Sequence, residues 1–125
     1  MAECILVVED SATQARLLAH VLEQAGFPVE IAGNGIEALE RMNAESPRLV
    51  LTDVTMPRMD GFELIRRIRQ DGRRRATPII VVSADTDPDT PERIAEMGVS
   101  AFFPKPFSPA EVRHKLEQIL NVTSS

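Results

Sequence analysis

Five strand-like runs alternate along the chain with five segments whose apolar residues recur at helical spacing. The runs lie at residues 4–8, 28–32, 49–51, 79–82 and 101–103. Continuous apolar runs such as CILVV and IIVV are typical of strands that are buried on both faces of a parallel sheet. Strand–helix alternation predicts right-handed crossovers with helices on both faces of that sheet. We therefore expect an α/β fold.

The segments between the strands carry helix start and stop signals. Ser11 to Gln14 has the spacing of a capping box, which predicts a helix running to about residue 25, where Gly26 ends it. Ser108 to Glu111 is a second capping box with Pro109 at the first helical position. The other three helices are predicted at about residues 36–43, 61–71 (capped by Asp60) and 91–97. At 125 residues, we expect one domain over 1–125, with an ordered core of about 3–121 and a polar tail.

Polar residues follow four of the five predicted strands. They are Glu9 and Asp10 after the first, Asp53 after the third, Ser83 after the fourth and Lys105 after the fifth. Ligands of open α/β sheets bind outside the carboxyl ends of the strands, and these ends converge on one edge. We therefore expect the five side chains to be neighbours in space.

The composition of the chain argues against several kinds of partner and location. A net charge of -5 and the lack of Trp and Tyr argue against direct nucleic-acid binding. The single cysteine cannot form an internal disulfide, and the N-terminus has no long apolar run, so we expect a cytoplasmic location and no membrane insertion. Only Lys105 and Lys115 of the 14 cationic residues are lysine, which suggests a role for a compact ammonium at 105. Arg73-Arg74-Arg75 is expected to be a solvent-exposed loop.

The residues expected at the sheet edge fit phosphoryl-transfer chemistry. Three carboxylates held close together repel one another, and a hard divalent ion such as Mg2+ relieves that repulsion. A metal and the Lys105 ammonium beside Asp53 would neutralise the oxygens of a transferring phosphoryl group, with the Ser83 hydroxyl in reach. Asp53 would be the nucleophile that forms an acyl phosphate. Glu9-Asp10 also suits the positive end of the first helix without any metal.

Over essentially its whole length the chain resembles a receiver domain of two-component response regulators. The resemblance is carried by the motifs Glu9-Asp10, Asp53, Met56-Pro57, Asp60-Gly61, Ser83, Phe102 and Lys105-Pro106-Phe107. It implies a doubly wound, flavodoxin-like (βα)5 domain whose five-stranded parallel sheet has the order 2-1-3-4-5. It also implies phosphorelay signalling by a protein that is not a conventional enzyme.

The resemblance assigns roles to individual residues. Asp53 would accept the phosphoryl group from a sensor histidine kinase or a histidine phosphotransfer protein. Mg2+ would be bound by Asp10, Asp53 and the backbone carbonyl of Thr55, with Glu9 acting partly through water. Lys105 would pair with the phosphoryl group.

The same resemblance implies how the signal would leave the domain. Ser83 and Phe102 would form the switch, and a downstream partner would bind the face of the fourth helix, fifth strand and fifth helix. Thr55 and Asp85 occupy the positions that tune acyl-phosphate lifetime, and Phe102 stands where many members have Tyr. An alternative within the family is a phosphotransfer intermediate that passes the group to a histidine partner docking near the first helix.

The sequence also supports two other hypotheses about function, which we compare with the receiver domain. Gly33, Gly35 and Ala38 match the dinucleotide-binding fingerprint, with Asp53 about twenty residues beyond. That reading leaves Glu9-Asp10, Ser83 and Lys105 unexplained. A haloacid-dehalogenase-like phosphatase also uses an aspartyl nucleophile after a strand, but it needs a second Asp two residues further on, where this chain has Thr55.

Overall fold

Strand and helix alternate five times in the computed structural model, which describes residues 4–54, 60–72, 74–84 and 87–120. The strands are β1 (Ile5–Val8), β2 (Val29–Ala32), β3 (Leu49–Thr52), β4 (Ile79–Ser83) and β5 (Ala101–Pro104). The helices are α1 (Ala12–Gln24), α2 (Gly35–Ala44), α3 (Gly61–Gln70), α4 (Thr90–Glu96) and α5 (Pro109–Ile119). All ten predicted elements are present. Nine lie within about one residue of their predicted bounds, and α5 begins at Pro109 as predicted.

The strands form one parallel sheet in the order β2-β1-β3-β4-β5, which confirms the predicted fold. In the register of the sheet, Val8 lies opposite both Ala32 and Thr52, and Ser83 lies opposite Pro104. The strands therefore end together, and the residues that follow them share one edge of the sheet.

Two layers of helices cover the sheet because successive side chains of each strand point to opposite faces. Val8, Val50 and Val81 pack with apolar residues of α2, α3 and α4. Val7 and Val82 pack on the other face with residues of α1 and α5. The three central strands are buried on both faces, as their continuous apolar runs predict.

Side-chain caps start four of the helices. Ser11, Asn34, Asp60 and Ser108 each accept a hydrogen bond from the backbone N–H three residues further on. The predicted capping box at Ser11 forms only in this direction, because the Ser11 N–H donates to Glu9 Oε2 at 3.2 Å. None of the described helices has both the length and the apolar character needed to cross a membrane.

The expectation of a fully solvated arginine loop is wrong for Arg74. Its side chain is buried, with one guanidinium nitrogen 3.2 Å from Asp71 Oδ2 and bonded to Asn43 Oδ1. The gap between the ends of α2 and α3 supplies these acceptors, so the charge does not need solvent. Arg75 is exposed as predicted, and Arg73 lies outside the described residues.

Candidate functional site

Asp53 follows β3 directly and is almost fully buried. Its N–H donates to the Val8 carbonyl at 3.1 Å, which holds it against the end of β1. The start of α3 packs on the same backbone, because the Gly61 N–H donates to the Val54 carbonyl at 3.0 Å. A Cβ at Gly61 would lie 2.3 Å from the Asp53 carbonyl oxygen, so only glycine fits this approach. Gly61 thus allows the start of α3 to pack against the backbone of Asp53.

Lys105 crosses from β5 to the other strand ends. Its Nζ lies 2.8 Å from Asp53 Oδ2 and 2.8 Å from Glu9 Oε1, and it also donates to Gln14 Oε1. The Lys105 N–H donates to the Ser83 carbonyl at 2.8 Å, so the end of β4 holds the lysine backbone. One ammonium therefore joins residues that are far apart in sequence, as the strand-end argument predicts.

Two carboxylates share this one ammonium. Burial raises the pKa of Glu9 above its ordinary 4.5, and this outweighs the lowering by Lys105 and the Ser11 N–H; a hydrogen bond with Asp10 raises it further. Burial lowers the pKa of Lys105, but its bonds to Asp53 and Glu9 raise it more, above the ordinary 10.5. The lysine is therefore firmly protonated, and two of the described carboxylates share its one positive charge.

Asp10 lies exposed beside Glu9, with which its side chain shares a hydrogen bond. Within the described residues, no group of three or more His, Cys, Asp and Glu side chains is arranged to hold a metal ion. Thr55, whose carbonyl is a predicted metal ligand, lies outside those residues, as do Met56-Pro57 and Asp85. The structure thus brings together Glu9, Asp53 and Lys105 of the predicted site.

The two predicted switch residues lie on neighbouring strands. Ser83 is fully buried at the end of β4. Phe102 lies opposite Val81 on the edge strand β5, where it is half-buried and packs against the core beneath α2, α3 and α4. Part of the ring surface is therefore still exposed to solvent.

Gln14 is a site residue that sequence reasoning assigned only to helix capping. Its side chain is exposed at the mouth of the site and accepts from Lys105. Its position in the first turn of a helix that follows an acidic pair is the one feature of the sequence that could have indicated this role. Gln14 and Lys105 also line a cleft of about 410 Å³ whose other walls are mostly apolar: Leu17, Ala84, Pro106, Phe107 and Pro109.

The structure at the start of α2 argues against the dinucleotide-binding hypothesis. The Glu37 N–H donates to Asn34 Oδ1 at 2.9 Å, and the Gly33 N–H donates to Glu37 Oε2 at 3.2 Å. The groups that would cradle a pyrophosphate are thus bonded to the protein itself. The Glu37 carboxylate also places a negative charge where the phosphates would lie.

Comparison with known proteins identifies relatives over nearly the whole chain. The model of the family described as "Response regulator receiver domain" matches residues 5–117. The chain is 33% identical over 118 residues to chemotaxis protein CheY1 of Helicobacter pylori, covering 93% of this chain and 95% of that protein. It is 35% identical over 120 residues to the alkaline phosphatase synthesis transcriptional regulatory protein PhoP of Bacillus subtilis. That alignment covers 96% of this chain but spans only about half, 49%, of the relative.

Solved structures agree with the sequence matches. A putative response regulator from Chloroflexus aurantiacus superposes with a TM-score of 0.90 at 32% identity, covering 97% of this chain and 99% of that one. A response regulator receiver protein from Pseudomonas putida gives a TM-score of 0.88 at 30% identity, covering 94% and 98%. The chain belongs to the response regulator receiver domain family.

Proposed function

We propose that Asp53 accepts a phosphoryl group from a sensor histidine kinase, and that the domain then changes conformation to control a partner protein. Receiver domains are signalling modules of two-component systems, and phosphoaspartate and Mg2+ are typical of the family. The observation that carries the proposal is the Lys105 ammonium 2.8 Å from Oδ2 of the buried Asp53. A reactive carboxylate and a fixed positive charge are thereby held side by side.

In the proposed transfer, an Asp53 carboxylate oxygen forms a bond to phosphorus while the P–N bond of the donor's phosphohistidine breaks. The imidazole nitrogen keeps the electron pair and takes up a proton. Lys105 neutralises the phosphoryl oxygens, and the Ser83 hydroxyl donates to one of them. Water later cleaves the acyl phosphate, so the domain is phosphorylated and reset rather than turning over a substrate as a conventional enzyme does. Thr55 and Asp85 would tune how long the acyl phosphate lasts.

Magnesium is part of the proposal. Asp10, Asp53 and the Thr55 carbonyl would hold the ion, with Glu9 acting partly through water. The donors are all oxygen, which suits Mg2+, and the Lys105 cluster holds one more carboxylate than ammonium. Bound Mg2+ would neutralise charge on the phosphoryl oxygens during transfer.

We propose that the signal leaves through Ser83 and Phe102. Ser83 would move toward the phosphoryl group, and Phe102 would rotate inward on β5. Completing the burial of a half-buried phenyl ring is worth about 1 kcal/mol, several-fold in a two-state equilibrium. The face of α4, β5 and α5 would then bind the downstream partner.

A second candidate function is a relay step in which the domain passes its phosphoryl group to a histidine phosphotransfer protein. The cleft beside Lys105 favours it, because exposed Leu17 and the apolar residues Pro106 and Phe107 offer a docking surface next to the reacting carboxylate. The relay would be supported if the phosphorylated domain transferred its phosphoryl group to such a protein and the Leu17→Glu variant did not. Failure of the wild type to donate to any histidine phosphotransfer protein of its own genome would exclude it.

The main proposal is tested with Mg2+ and acetyl phosphate as a small phosphodonor. Wild-type protein should gain a label that both acid and base remove, as expected of an acyl phosphate, and a chelator should abolish the labelling. Asp53→Asn should remove the label. Asp60→Asn is the matched control, because Asn also caps helices and Asp60 caps α3 through Glu63. Equal labelling of wild type and Asp53→Asn would refute the proposal.

A further inference from the structure

The Lys105 ammonium uses all three of its N–H groups within the protein. A lysine ammonium has three donors and no acceptor. Here the donors meet Glu9 Oε1, Asp53 Oδ2 and Gln14 Oε1. A phosphoryl oxygen can therefore bond to Lys105 only by displacing one of these acceptors.

The Gln14 side chain can accept a hydrogen bond from Lys105 because Glu9, not Gln14, accepts from the N–H of the cap residue Ser11. In a capping box, the glutamine at the third helical position bonds back to the N–H of the cap residue. That N–H, on Ser11, instead donates to Glu9 Oε2, while Ser11 Oγ still accepts from the Gln14 N–H at 3.3 Å. The backbone of Gln14 stays fixed, and its amide oxygen turns to Lys105.

The three acceptors differ in how firmly they hold the ammonium. Asp53 and Glu9 are buried carboxylates, and hydrogen bonds between two charged groups are the stronger kind. Gln14 is a neutral amide on an exposed residue at the mouth of the site, where water can take the place of either partner. Of the three bonds, the one to Gln14 is the easiest to exchange.

We propose that the Gln14 amide oxygen occupies, in the unphosphorylated domain, the Lys105 N–H that a phosphoryl oxygen takes over when Asp53 is phosphorylated. Gln14 is then a positioning residue that stabilises the resting arrangement of Lys105 and opposes activation. The inference rests on the proposed function, since it needs Asp53 to carry the phosphoryl group. It adds a residue of α1 that distinguishes the two phosphorylation states.

The test is a titration with beryllofluoride, a phosphoryl mimic, at saturating Mg2+, followed by NMR. Gln14→Met keeps side-chain length and helix propensity but removes the acceptor, so the apparent affinity should rise about three- to tenfold. Gln14→Glu adds charge to the acceptor and should weaken binding by a similar factor. Thr13→Met, a change at an exposed neighbour in the same turn, is the control and should bind as the wild type does.

A second readout follows the Gln14 side-chain amide signals directly. Beryllofluoride should move them in the wild type toward the positions they have in ligand-free Lys105→Met. Unmoved signals, or equal affinities of Gln14→Met and Thr13→Met, would overturn the inference while leaving the proposed function intact. A wild type that binds no better than Asp53→Asn would overturn the proposed function itself.

Discussion

Buried charges lie at both edges of the sheet, and they are balanced differently. At the amino edge, Arg74 faces the carboxylate of Asp71 and the amide of Asn43. At the carboxyl edge, Lys105 faces the carboxylates of both Asp53 and Glu9. Among the residues that the structure describes, the first cluster pairs one cation with one anion, whereas the second has one ammonium for two carboxylates.

This difference separates a structural cluster from a functional one. Arg74 links the end of α3 to the end of α2, because its guanidinium contacts both Asp71 and Asn43. At the other edge one ammonium faces two carboxylates, and burial raises the pKa of Glu9 despite the Lys105 contact. Burial of charge alone does not mark a site; an unbalanced cluster at the carboxyl ends of parallel strands is a much stronger indication.

The largest effect should come from changing the cation of the unbalanced cluster. Lys105→Arg keeps the charge but replaces a compact ammonium by a wide, planar fork. It should still bind Mg2+ and lose most of the beryllofluoride-dependent shift of the Phe102 ring signals. Lys115→Arg, on α5, is the control and should shift as the wild type does. Equal shifts in Lys105→Arg and wild type would contradict the switching role.

A smaller effect, on stability alone, is expected from the balanced cluster. Arg74→Met removes the buried guanidinium from Asp71 and Asn43 and should lower the free energy of unfolding by about 2 kcal/mol. Labelling by acetyl phosphate should be unchanged in the folded protein. Urea denaturation measures the first quantity. Exposed Arg75→Met should stay within about 0.5 kcal/mol of the wild type; a similar loss in both variants would remove the distinction.

The smallest effect concerns Glu9 and pH. Because the folded pKa of Glu9 is raised above 4.5, the folded state binds its proton more tightly than the unfolded state does. Its contribution to stability therefore falls as pH rises from below 4.5 through the folded pKa. At neutral pH, Glu9→Gln should change the free energy of unfolding by no more than about 1 kcal/mol.

Metal-free urea titrations across this pH range would measure the effect. The stability of the wild type relative to Glu9→Gln should decline with rising pH. A difference that stays constant, or grows with pH, would mean that folding does not raise the pKa of Glu9.

The fold was predictable because local signals and long-range topology agree. Apolar runs gave the strands, caps such as Ser11 and Asp60 gave the helix starts, and alternation required parallel strands. The meeting of Asp53, Glu9 and Lys105 followed from strand ends alone. The strand order itself came from the family resemblance, since apolar runs do not specify which strands are neighbours.

Sequence patterns did not predict which partners two polar side chains, Gln14 and Arg74, would bond to. Gln14 has the spacing of a cap residue, yet its side chain bonds to Lys105 because Glu9 takes the Ser11 N–H. Arg74 lies in a run of arginines, which predicts solvent exposure, yet its side chain is buried and paired with Asp71 and Asn43. Both outcomes depend on residues brought close only by the folded chain.

The most direct test of the central claim is to locate the phosphate. After incubation with Mg2+ and acetyl phosphate, borohydride reduction converts an aspartyl phosphate into homoserine, and peptide mass spectrometry identifies the residue. Homoserine should appear at Asp53 and at none of the other acids of the site, including Asp10 and Asp60. Homoserine at another aspartate, with Asp53 unmodified, would contradict the account.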